Sequence, residues 1–478
     1  MNQITTFQNK LAVLLTAILF SIANTFAATY YTQASGDPTL LTSWNSVRIG
    51  GGTTPANFIG EDVFVIQSGH TMTSTGWTVG NASASSIAKL QIENGGIFTG
   101  SSTTATSSLT MGTKATLQVD AGGKIIWITN TASTNSMAGL WAGFEALDAA
   151  SIFEFQGTAA PFFNAGYPDV NGYGNVIFNC HSNINYGINA NVSTIRGNLT
   201  ILRNGGTTTN YNFGNNRVLT NPITIGGNLI LDGSFVFRGI NVAGQCAINI
   251  GGNVTVQNGA TFTISNMTTA YVNLNIAGNL TIASGATVTD WGTGATRTTV
   301  SFSGSNKTFT NNGTYNTLNL NTQVKTGASL RLLSNVEIKA DRTLTVDGTL
   351  ECGNSVISGA GNFTLNTGAE LIHTNAGGVD AVVTVTGTKT LNGTVTYDTS
   401  TFLTNNHSDK INVYTAANKI VVSPIENGDV ISIYTVSGQQ LKQIVANNNR
   451  FETTVEKGCY IVKVAAKRAT LLTKVVVH

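Results

Sequence analysis

Proline is nearly missing, with 6 in 478 residues, and charge is scarce, with 10% of side chains charged. A row of β-sandwiches usually punctuates its strands with proline and carries large core aromatics, so the first scarcity argues against that architecture. With the second, residues 1–408 are nearly neutral, at a net of −2, which leaves this long body no field to draw nucleic acid or an anionic membrane. Four cysteines, Cys180, Cys246, Cys352 and Cys459, stand far apart with no CxxC pair. That spacing fits neither a metal site nor a disulfide scaffold and reads as buried free thiols. No lysine occurs between Lys124 and Lys307, and Asp169 is the sole carboxylate between 155 and 231. Long tracts therefore lack the groups that acid–base chemistry needs.

What is present is 41% hydrophobic residues and 52 glycines. The chain is too apolar for disorder and too glycine-rich for helices. Residues 1–27 read as a secretory leader: Lys10, the apolar run "LAVLLTAILFSIA" (11–23), then Thr25 and Ala27 at small-residue positions before a cut. No other stretch is long and apolar enough to span a bilayer, so no transmembrane segment is expected in the mature chain. Charge is unevenly placed. From Asp409 onward nine Lys/Arg face five Asp/Glu, a net of +4, which leaves 1–408 at −2.

Four segments share one pattern: "GNLTIL" (197–202), "GGNLILDGSFVF" (226–237), "GGNVTVQNGATFTI" (251–264) and "AGNLTIASGATVT" (277–289). Their Gly-Asn pairs recur at Asn198, Asn228, Asn253 and Asn279, at intervals of 30, 25 and 26 residues. A repeat of that length, built of short strands, is one coil of a β-solenoid. In "GATFTI" the period of two puts Phe262 and Ile264 on one face and Thr261 and Thr263 on the other. One coil cannot bury the first pair alone, and stacked coils can. Glycine at the corners is read as supplying backbone angles other residues adopt at a cost. Asparagine is read as tolerating a left-handed position while its amide hydrogen-bonds along the stack. A second repeat is read in "FEFQGTAAPFFNAGYPDVNGYGNVIFN" (153–179) and "VSFSGSNKTFTNNGTYNTLNLN" (300–321). Only "AGLWAGFEALDAA" (138–150) has a helical spacing, for a short helix or a loop. The fold class is all-β: a right-handed parallel β-helix followed by a small C-terminal β-sandwich. The domains are the leader 1–27, a solenoid body 28–405 with an N-terminal cap over about 28–75, and a C-terminal domain 406–478.

The sandwich rests on a resemblance. "NKIVVSPIENGDVISIYTVSGQQL" (418–441) places Tyr434 and Gly438 in an "IYxxxG" turn, "GCYIVKV" (458–464) brings Gly458 and Tyr460, and "KVVV" (474–477) ends on Lys474, Val475 and Val476. These elements, in this order, resemble the C-terminal sorting domain of the type IX secretion system of the Bacteroidetes, a small β-sandwich that directs cargo through the outer membrane. Cys459 stands where such domains usually carry an aliphatic residue, and their common "NP" near the start is missing. At the other end, Trp44-Asn45, the link to Pro55-Ala-Asn57-Phe58, the strand at 63–66 and Gly69-His70 resemble the opening module of exported surface proteins of the same phylum. In those proteins it looks like a cap on a β-helix. The resemblances imply a secreted protein at the outer-membrane surface or beyond, with the type IX machinery as partner.

Candidate chemistry is sparse. The densest charged group is Glu337, Lys339, Asp341, Arg342, Asp347 and Glu351, spread over about one coil, with Glu337 and Lys339 sharing an outer face. His70, beside Glu61 and Asp62, reads as a hydrogen-bonded turn residue, and His181, His373 and His407 are scattered. No catalytic residue, metal ligand or cofactor is assigned. Thr-x-Thr pairs at 261/263, 287/289, 308/310, 343/345, 384/386 and 394/396 would form a flat hydroxyl-and-methyl face if they stacked, although their intervals are irregular and threonine favours strands anyway. The leading functional reading is a non-catalytic adhesin or envelope protein contacting a glycan or surface ligand. The alternative is a polysaccharide-degrading β-helix lyase or hydrolase with its site around 337–351.

Overall fold

The computed structural model describes residues 27–81, 87–102, 107–129, 140, 143–157, 172–180, 184–186, 194–203, 210–213, 222–236, 245–264, 271–290, 298–315, 320–398, 412–416, 418–423, 425, 427–436, 438–466 and 469–477. The leader read over 1–27 lies, but for Ala27, outside the described residues. The chain divides into two compact units, Met1–Tyr397 and Asp398–His478.

The first unit is a parallel β-solenoid. A 14-stranded sheet runs from Thr71–Thr73 to Thr394–Tyr397, a nine-stranded sheet from Thr194–Ile195 to Lys389–Leu391, and a six-stranded sheet from Ile184–Tyr186 to Thr314–Tyr315. We call these the long, second and third sheets. The physical cause of stacking is visible in one inward column of the long sheet. Met72, Phe98, Ile125, Phe153, Val176, Leu199, Leu229, Val254, Leu280 and Phe309 are successive parallel partners, and all are buried. Each covers apolar surface that the neighbouring coil would otherwise leave wet, worth about 1.5–3 kcal/mol per fully buried side chain. One pair of inward polar groups satisfies itself: the Tyr315 hydroxyl lies 2.9 Å from Thr322 Oγ1. At the start, a further six-stranded sheet ends on Trp44–Asn45, antiparallel to Thr29–Thr32. Trp44 is fully buried there, stacked on Trp77 and edge-on to Phe64, with Nε1 donating to Pro38 O.

The Gly-Asn pairs build a ladder up one corner. The backbone N–H of Asn198 donates to Asn175 Oδ1, that of Asn228 to Asn198, Asn253 to Asn228 and Asn279 to Asn253, at 2.7–2.9 Å. Thr308 N–H closes the series on Asn279 Oδ1 at 2.9 Å. Sequence separations along it are 23, 30, 25, 26 and 29 residues. The expected role of the glycines needs correcting. Gly197, Gly227, Gly252 and Gly278 are not at positive φ, and neither are the ladder asparagines. A Cβ on these glycines would lie 2.4–2.5 Å from the Asn Oδ1 of the coil below, so glycine leaves room for the amide. Positive φ belongs to other turns, such as Gly259 in "NGA" and Gly285 in "SGA".

Two further expectations change. Within 138–150, Phe144–Leu147 is a strand paired with Thr116–Val119, because the open ladder of the preceding coil satisfies more backbone groups than an isolated helical turn. The segments 153–179 and 300–321 each cover one coil but start on different sheets. Ile152–Gly157 pairs with Asn175–Cys180 in the long sheet, whereas Thr298–Phe302 pairs with Leu320–Val324 in the second. Among the described residues the single α-helix is the one-turn Val379–Val382.

The second unit is antiparallel. Asn412–Ala416, Lys419–Ser423 and Phe451–Thr454 form a three-stranded sheet, and Gln440–Val445, Val430–Thr435, Gly458–Ala466 and Ala469–Val477 a four-stranded one. Ile420, Val422 and Phe451 of the first share a core with Ile431, Ile433, Val462 and Val464 of the second, as two faces of a sandwich. Alternation holds along 461–465: Val462 and Val464 are buried, Lys463 is exposed, and Ile461 and Ala465 are half-buried.

Candidate interaction surface

The charged group at 337–351 does not converge on one groove. Lys339 Nζ reaches Glu337 Oε1 at 2.5 Å on an exposed face, and Arg331 Nε meets Glu351 Oε2 at 2.8 Å. Asp347 accepts from Gln323 Nε2 at 2.7 Å and Asn366 Nδ2 at 2.5 Å. Arg342 is buried and donates to Asp341 O. Among the described residues no three His, Cys, Asp or Glu side chains are grouped to hold a metal ion. His70 Nδ1 lies 2.7 Å from Thr32 Oγ1 beside its turn. His373 is buried against Tyr397, and His181 and His407 lie outside the described residues. Cys352 is a buried free thiol as expected, whereas Cys459 is free but only half-buried.

One buried carboxylate sits outward on the long sheet. Glu154 Oε2 pairs with Lys124 Nζ at 2.6 Å, and Oε1 accepts from Gln156 Nε2 at 2.6 Å and Asn179 Nδ2 at 2.8 Å. Burial pushes its pKa up, and the hydrogen bonds from Lys124, Asn179 and Gln156 more than reverse this, holding the carboxyl below its ordinary range. Both oxygens are engaged, one by Lys124 on the coil before and the other by Asn179 on the coil after, which makes this a cross-coil clamp.

The Thr-x-Thr pairs divide among the sheets. Thr261 and Thr263 stack on Thr287 and Thr289 in the third sheet, Thr308 and Thr310 belong to the long sheet, and Thr343 and Thr345 to the second. No single threonine face results. The second sheet instead presents a row that Thr-x-Thr spacing does not reveal. Thr194, Thr224, Asn249, Asn275, Ser301, Gln323, Thr345, Thr364 and Thr390 are successive register partners. Beside them run Asn273, Thr299 and Asn321. All alternate with apolar buried residues such as Ile248, Leu274, Val300 and Leu344 and so lie on the outer face by register, half-buried except for Ser301, which is itself buried. The available signal was the polar member of each period-two strand, as in "NLNI" (273–276) and "NTQV" (321–324).

The C-terminal motif residues do not form one cluster. Tyr460 and Val475 are register partners facing the sandwich core, where the Tyr460 hydroxyl donates to Glu456 O at 2.8 Å. Tyr434, Ile461 and Lys474 make one row on the opposite face, and Val476 is exposed on that face. Gly438 holds φ 87° in the turn before Gln440–Val445, and Gly458 starts its strand. Among the described residues no helix is long and apolar enough to cross a membrane. No protein-family model matches this chain, and neither does any curated protein or solved structure.

Proposed function

We propose that the chain is an exported, surface-displayed β-solenoid that contacts a glycan or another surface ligand without catalysis, with 406–478 acting as a type IX sorting domain. The observation that carries the contact reading is the uncharged row of nine register partners on the second sheet, eight of them partly exposed and Ser301 buried among them. Affinity spread over such a row requires no pocket, and Glu337, Asp347 and Glu351 already have partners of their own. The export reading draws on the leader pattern and on the ordered C-terminal motifs at 434–438, 458–464 and 474–477. Two assays test it. The full chain applied to a broad glycan array and to extracellular-matrix proteins should bind at least one class, and silence on both sets ends the contact reading. In a type IX-competent host, truncation after residue 405 should trap the protein in the periplasm, and normal surface delivery of the truncated chain ends the sorting reading.

A further inference from the structure

We propose that the outer face of the second sheet binds a neutral, unbranched polysaccharide laid along the stacking axis. This rests on the glycan-contact reading and gives it a place and a ligand class. The row from Thr194 to Thr390 crosses nine strands in unbroken register. At about 4.8 Å per strand it is about 38 Å long. With Asn273, Thr299 and Asn321 alongside, the strip is only two side chains wide over part of that length. A narrow strip running up several coils suits a linear polymer better than a compact ligand.

Chemistry narrows the class. Every member of the row carries a hydroxyl or an amide, groups that can both donate and accept, as sugar hydroxyls do. The amides are held in place before any ligand arrives: Asn275 Nδ2 donates to Asn249 Oδ1 at 2.8 Å, and Ser301 Oγ to Gln323 Oε1 at 3.2 Å. Such pre-ordering lowers the entropy lost on binding. The charges at the margin are turned onto the face itself. Lys325 Nζ donates to Asn275 Oδ1 at 2.6 Å, while both Asp347 oxygens accept from Gln323 and Asn366. A uronate or sulfated chain would lose hydration at every charged unit and meet a single cation, Lys325, offset by the neighbouring Asp347 carboxylate, and a neutral chain avoids that loss. The long sheet is the poorer candidate, because its outward column interleaves Ile126, Glu154, Ile177 and Ile230 with threonine.

The test uses the full chain in affinity electrophoresis against unbranched β-1,4-, β-1,3- and α-1,4-glucans, a linear mannan and soluble chitin oligomers, with polygalacturonate and dextran sulfate as charged probes. A second-sheet variant, Thr224→Glu with Thr345→Glu and Thr364→Glu, is compared with a long-sheet variant, Thr200→Glu with Thr255→Glu and Thr281→Glu. The expected result is retardation of wild type by a neutral chain, a loss of about tenfold or more in the second-sheet variant, and no change in the long-sheet variant. Circular dichroism melts check folding, and if the triple variant unfolds, Thr345→Glu and Thr364→Glu alone carry the same comparison. Wild-type-like binding by the second-sheet variants, or a preference for the charged chains, overturns the inference and leaves glycan contact standing. Failure to bind any carbohydrate, on the gels and on the broad array, overturns both.

Discussion

The Gly-Asn unit is the smallest piece of this fold with a stated cost. Asn253 is exposed, and its amide oxygen receives the Asn279 N–H. Asn253→Ala should therefore lose about 1 kcal/mol in urea unfolding. Gly252→Ala should lose more, roughly 2–3 kcal/mol, because its Cβ would lie 2.4 Å from Asn228 Oδ1 and 2.7 Å from Gly227 backbone atoms. Equal or reversed losses would show that space above the amide is not the reason for glycine. The pair and the asparagine amide's hydrogen bonding along the stack were legible in the sequence, but the reason for the glycine was not. Glycine suits both a positive φ and a close approach, and spacing alone does not distinguish them. Two ionisable groups add further checks. Burial pushes the Cys352 thiol up to about 12, so a variant retaining only that cysteine should resist iodoacetamide at pH 8 until denaturant is added. Glu154 has a folded pKa below its unfolded one, so its contribution to stability is present above about pH 4.3 and is lost as pH falls through the folded value. Wild type should outlast Glu154→Gln in urea at pH 7, and that lead should shrink below about pH 4.3.

Strands were recognisable from period two, yet the sheet each one joins was not. Sheet membership depends on how many residues each corner spends, and corners vary: the ladder steps range from 23 to 30 residues. That variation is why the segments at 153–179 and 300–321 looked alike while starting on different sheets, and why evenly written Thr-x-Thr pairs fell on three faces. At 138–150 the spacing of Leu140, Phe144 and Leu147 suited a helix, and the backbone partners waiting at Thr116–Val119 decided for a strand. In the C-terminal sandwich the same alternation separates two kinds of motif residue. Val475→Ala, opposite Tyr460 in the core, should lower the melting temperature of the full chain's C-terminal transition, at a cost of roughly 1–3 kcal/mol. Lys474→Glu, on the outer row with Ile461 and Tyr434, should leave that transition in place. If the outer row is what the export machinery reads, Lys474→Glu should reduce surface delivery despite normal folding, and undiminished delivery would assign recognition elsewhere.

On the scale of the whole solenoid, each coil depends on the one beneath it for burial and backbone pairing, and from Asn175 to Thr308 for the asparagine ladder as well, so the architecture predicts geometry that sequence separation does not. The outward column Thr73, Thr99, Ile126, Glu154, Ile177, Thr200, Ile230, Thr255, Thr281 and Thr310 supplies a ruler, since each residue is the register partner of the next. Spin labels placed in pairs at Thr73 and Thr200, Thr200 and Thr310, and Thr73 and Thr310 report it by double electron–electron resonance. Backbone separations are expected to grow by about 4.8 Å per coil, giving about 24, 19 and 43 Å over five, four and nine steps. Distances that fail to add along the column, or that follow residue number instead of coil number, would contradict a continuous parallel stack.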